Sequence, residues 1–213
     1  KALTIDQVKN LTTDQIKGLE STDITILTSD QVSALSPKQL ASLSAPQIQA
    51  INKTAFASLT TTQISHLTST QVQALTSLQI KALTPQQISK LSDTQLPVIQ
   101  PESLSKLSDE QLKSLSSDQI GTLTTQQFQA LTAKQLNALD ATQLHGVRAA
   151  NIAIIKTDVV AALSPDTLKK MSSDQIKALT PAQITTLKNY QVSNLGSEQS
   201  KALRAKTSRH SLP

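Results

Sequence analysis

At 213 residues the chain could make one or two globular domains, but with no Trp, two Phe and one Tyr it cannot fill a core with large rings. The absence of Cys excludes disulfides and thiolate metal ligands, and no apolar run reaches membrane-spanning length. The formal charge of +5 is uneven, because Arg204, Lys206 and Arg209 supply three of it, so the remainder is nearly neutral and basicity is no argument for nucleic acid.

From Leu3 an aliphatic side chain or Met recurs every eight residues as far as Leu203, at 26 positions without insertion or deletion. A second apolar column runs five residues later, from Val8 to Val192, and fails only at Ser200. Fixed-period self-similarity marks a repeat array in which each unit packs on its neighbours. With the first aliphatic residue as position 1, the consensus is Leu-Thr/Ser-x-x-Gln-Ile-x-Ala. Position 2 is Ser or Thr in 17 of 26 units and position 5 is Gln in 19 of 25. Thr12 to Gln15, Ser44 to Gln47 and Thr180 to Gln183 thus spell a capping box, so a helix is predicted to start in every octad.

Other columns agree with that register. Pro37, Pro85, Pro101, Pro165 and Pro181 all fall at position 3, the first helical residue, where a missing N–H costs nothing. Position 4 is acidic in ten units, which suits a helix N-terminus. Six of the seven position-7 lysines have an acid three residues earlier: Asp6–Lys9, Asp14–Lys17, Glu110–Lys113, Asp166–Lys169, Asp174–Lys177 and Glu198–Lys201. One continuous helix is excluded, because eight residues overshoot two turns by about 80° and the apolar column would spiral. Strands fit no better, since period-two alternation is lacking and there are only four Gly for turns. The expected fold is all-α: a solenoid of short capped helices over residues 1–203, one per octad, followed by a basic tail at 204–213. Because Lys1 and Ala2 occupy positions 7 and 8, the array is read as starting within a repeat, as in an excised or processed chain.

Taken in chain order, four stretches depart from consensus. Residues 19–26 put Glu20 at the cap, and residues 51–58 use Asn52 as cap with Ala55 in place of Gln. Residues 99–106 begin Ile-Gln-Pro-Glu, and residues 147–162 are the most apolar. Both apolar columns persist through all of them, so the fold should continue. Ile152, Ile154, Ile155, Val159 and Val160 are the candidate self-association surface. The tail reads as a solvated end or as a docking segment for an anionic partner.

The sequence offers little chemistry. His66, His145 and His210 lie far apart without companions at metal-ligand spacing, and the serines sit at capping positions. No phosphate-binding or dinucleotide motif occurs, so no enzyme activity, cofactor or metal is expected. Asn10-Leu11-Thr12 and Asn52-Lys53-Thr54 are formal glycosylation sequons. Most position-7 lysines have an acid three residues earlier and stacking aromatics are lacking, which argues against base-reading repeats.

Strings such as Leu27-Thr-Ser-Asp-Gln-Val-Ser-Ala-Leu35 and Met171-Ser-Ser-Asp-Gln-Ile-Lys-Ala-Leu179 resemble the octapeptide arrays of very large secreted or surface bacterial proteins, described as adhesin-like or haemagglutinin-like. The Leu-Thr-x-x-Gln phrase is also similar to the signature of Spy/CpxP-type periplasmic proteins. The first resemblance implies a secreted or cell-surface structural segment of a fibre, filament or adhesin stalk, with a second copy as partner, joined head to tail or laterally. The alternative expectation is a scaffold that holds a protein or glycan on its surface.

Overall fold

The computed structural model describes residues 3–208, and all regular structure among them is helical. Short helices of four to six residues follow one another at the predicted interval, for example Ser29–Ser33, Pro37–Ser42 and Ala45–Ala50. Most begin where the sequence sets a cap, whereas those starting after Gln100, Arg148 and Lys156 do so without a side-chain cap bond. In Ala45–Ala50 the Ser44 Oγ accepts from the Gln47 N–H, and Gln47 Oε1 accepts from the Ser44 N–H. Each ends because positions 1 and 2 are extended rather than helical: Leu43 has φ −64, ψ 137 and Ser44 φ −70, ψ 163. The position-1 N–H still closes the last turn, as in Leu43 to the Leu40 carbonyl at 3.2 Å. These corners need no left-handed residue, and none of the described residues has a positive φ. The sequence can therefore turn every eight residues with almost no glycine.

One octad breaks the rule locally. Residues 91–98 carry Pro97 at position 7, where a helix interior would need its N–H. Only a short 3₁₀ helix, Leu96–Val98, forms there. The cap survives, with Ser92 N–H donating to Gln95 Oε1 at 2.8 Å.

The chain divides into two units, Lys1–Leu107 and Ser108–Pro213, and each is an α-solenoid. In the first, Thr13–Lys17 stacks on Pro37–Ser42, Ser21–Thr25 on Ala45–Ala50, and Ser29–Ser33 on Lys53–Ala57. In the second, Ser117–Thr122 stacks on Ala141–Gly146 and Ala149–Ala153 on Ser173–Ala178. The stacking interval is three repeats, while hydrogen bonds between coils span 28 and 31 residues, so one coil takes between three and four octads. Positions 1 and 6 fill the centre: Ile48, Ile51, Phe56 and Leu59 in the first unit, Ile120, Leu123, Phe128 and Leu144 in the second. The last described helix, Ser197–Ser208, runs 12 residues and takes Arg204 and Lys206 into regular structure. Lys206 Nζ donates to the Lys177 carbonyl at 3.1 Å, so this part of the basic tail is docked on the preceding coil. Arg209 and His210 lie outside the described residues.

Candidate functional site: side chains that join successive coils

Position 5 carries the chemistry of this fold. Gln47 is buried, and after its Oε1 has accepted the cap N–H its Nε2 points into the coil before it. That amide donates to the carbonyls of Ile16 at 3.0 Å and Leu19 at 2.7 Å, across the corner between two earlier octads. The same two-carbonyl rung recurs at Gln39, Gln63, Gln71, Gln79 and Gln95 in the first unit. In the second unit it recurs at Gln143, Gln175, Gln183 and Gln191. No buried side-chain polar atom among the described residues lacks a partner. That matters, because an unsatisfied buried amide costs about 1–3 kcal/mol.

Sequence reasoning reached the cap and missed the rung. The available signal was the chemistry of the amide. A capping box accepts Glu as readily as Gln, and a helix N-terminus favours the acid. Not one of the 25 units has Glu at position 5. A side chain that must donate as well as accept explains the preference.

In several octads that lack Gln, other side chains reach across. Asn52 caps Ala55 through Oδ1, and its Nδ2 donates to the Leu27 carbonyl at 3.3 Å. The sequon asparagine is thereby engaged in the fold. Ser103 meets Ser77 at 2.9 Å, and Arg148 Nη2 donates to the Leu123 carbonyl at 2.8 Å. Of the five residues expected to form a surface in the most apolar stretch, Ile152, Ile155 and Val160 are core, and Ile154 and Val159 are partly exposed.

Of the six predicted surface ion pairs, Asp14–Lys17 forms at 3.8 Å, Asp174–Lys177 at 3.0 Å and Glu198–Lys201 at 3.0 Å. A further pair, Lys134–Asp109 at 3.4 Å, links two coils of the second unit. Exposed pairs of this kind contribute little. The Glu110 carboxyl titrates below the usual glutamate range, held there by its own backbone N–H, then by the Ser108 hydroxyl and the nearby Lys113 and Lys134. His66 Nδ1 lies 2.8 Å from the Thr62 carbonyl, as a helix C-cap side chain would, and His145 sits in the last turn of Ala141–Gly146. Among the described residues no three His, Asp or Glu side chains converge as a metal site would require. No described helix is long and apolar enough to cross a membrane.

A surface groove lies in the first unit between Lys53–Ala57 and Ser77–Ala82. Its walls are Lys53, Thr54, Ala57, Leu78, Lys81 and Ala82, and Leu78 is 63% exposed at a position that is acidic in ten other units.

Comparison with known families places this architecture beside the ALTTAQ repeat, which matches residues 1–37 and 152–189. The hexapeptide in that name follows positions 8 to 5 of the next octad, as in Ala178-Leu-Thr-Pro-Ala-Gln183. No curated protein matches the chain.

Proposed function

We propose that this chain is a non-enzymatic structural segment of a secreted or cell-surface bacterial fibre, filament or adhesin stalk, able to associate end to end with further copies. The observation that carries this reading is the directional rung at position 5. Where the rungs are present, a coil offers amide donors towards the coil before it and backbone carbonyls towards the coil after it. A unit of this kind extends by repetition and needs no separate ligand. An array of this kind supplies defined length and a polar Ser/Thr/Gln surface, which is what a stalk requires.

Negative-stain electron microscopy across a concentration series tests the proposal. Filaments that lengthen with concentration are expected. Particles of one size at every concentration would sink self-assembly. A second reading, a scaffold for a protein or glycan partner, is favoured by the Leu78 groove with its lysine-bearing walls.

A further inference from the structure

The rungs at position 5 fail at three consecutive octads of the second unit, where Asn151, Val159 and Thr167 stand in place of Gln. Three octads are close to one full coil. Towards the following coil, residues 147–170 are joined in the ordinary way: Gln175 donates to Leu144 and Val147, Gln183 to Ile152 and Ile155, and Gln191 to Val160 and Leu163. Towards the preceding coil the joint is different. Asn151 Nδ2 reaches only the Leu123 carbonyl, at 3.4 Å, beside Arg148. Val159 has no donor to offer, and the carbonyls of Leu131 and Leu139 receive no hydrogen bond among the described residues. Pro165–Lys170 packs both on Ala141–Gly146, three octads back, and on Ala133–Ala138, four octads back.

Past Arg148 and Asn151, the remaining two octads are bridged by Asn137, which reaches forwards rather than back. Asn137 Nδ2 donates to the Ala162 carbonyl at 3.2 Å, while its Oδ1 accepts from the Ser164 N–H and the Thr167 hydroxyl, both at 2.8 Å. Unlike the buried glutamines, Asn137 is partly exposed, so water competes for all three bonds.

We infer that the joint between the coil ending at Gly146 and the coil 147–170 is a built-in opening point, held by the apolar core and latched by Asn137. Local openings in a solenoid start where the hydrogen bonds between neighbours are few and reachable by water, and here buried amide rungs are missing while the Asn137 bonds are partly exposed. The inference goes beyond a structural role and does not depend on where the chain is located or what it assembles with. Its physical meaning is that the second unit yields at one defined coil instead of unravelling from anywhere.

Hydrogen–deuterium exchange on the full chain tests it. The amides of Val160 and Leu163 make helix bonds of 3.0 and 3.1 Å, matching the 3.0 and 3.2 Å of Ile176 and Leu179. Differences in their exchange therefore report opening rather than helix geometry. Val160 and Leu163 are expected to exchange roughly tenfold faster than Ile176 and Leu179. Asn137→Ala is expected to widen that ratio by about a further tenfold. Val159→Gln together with Thr167→Gln, which restores two rungs, is expected to narrow it. Equal protection along residues 123–187 would overturn the inference. So would an Asn137→Ala effect spread evenly over the unit, or restored glutamines that leave the ratio unchanged. The glutamine variant keeps the test decisive if Asn137→Ala does not fold.

Discussion

The side chain of Gln79 does two jobs that substitution can separate. Its Oε1 accepts from the Thr76 N–H at 3.0 Å, and its Nε2 donates to Ile48 and Ile51 at 2.8 and 2.9 Å, all at 2% exposure. Gln7 performs only the first job, at the surface. Gln79→Ala should therefore cost about 3 kcal/mol, because it strands two buried carbonyls and an amide. Gln7→Ala should cost about 0.5 kcal/mol, the lower end for a cap. Urea midpoints of the two variants check this, and equal shifts would mean that the rungs between coils contribute nothing. Glu110 gives a pH signature at the same scale. Its folded pKa is lowered, so its contribution is present above the ordinary glutamate range and is lost as pH falls through the folded value. Carboxyl NMR should find Glu110 titrating below an unperturbed glutamate, and Ser108→Ala should move it back up. An unshifted Glu110 would refute the hydrogen-bonded arrangement.

The helices are too short to persist alone, since isolated helices under about 12 residues are marginal in water. Their stability comes from caps at one end, extended corners at the other, and stacking between. The closest stack in the second unit illustrates how tight that packing is. Gly146 in Ala141–Gly146 lies against the Ser117 carbonyl, where a Cβ would collide, and a Cβ on Gly121 would sit 3.2 Å from the Gly146 carbonyl. Gly146→Ala should cost about 1–3 kcal/mol through overpacking of backbone on backbone. Thermal unfolding followed by circular dichroism measures it, and an unchanged midpoint would show that the coils separate freely there. Most of this level was legible in the sequence. The period located the core from Val8 to Leu203, and Ser/Thr with Gln located the helix starts. Pro97 was equally visible, but its consequence depends on falling at position 7 rather than position 3. The rungs were not legible, because a separation of 28 or 31 residues follows from the number of octads per coil, which no local pattern states. Three of the five residues read as a surface, Ile152, Ile155 and Val160, stand in the two apolar columns and are core, so the period itself already marked them as facing inward.

Across each unit the same joint is repeated, so cooperativity follows from nearest-neighbour coupling rather than from one central core. Uniform joints would make the coils interchangeable, and the departures at residues 147–170 are what give one of them a distinct behaviour. The orientation of the rungs has a consequence for how such a chain comes into being. Every glutamine rung takes its acceptors from residues 28 and 31 places earlier, which have already left the ribosome or an export channel when the glutamine emerges. Each glutamine rung thus meets a finished template and waits for nothing downstream. Folding can keep pace with delivery, one octad at a time, whatever the number of repeats still to come.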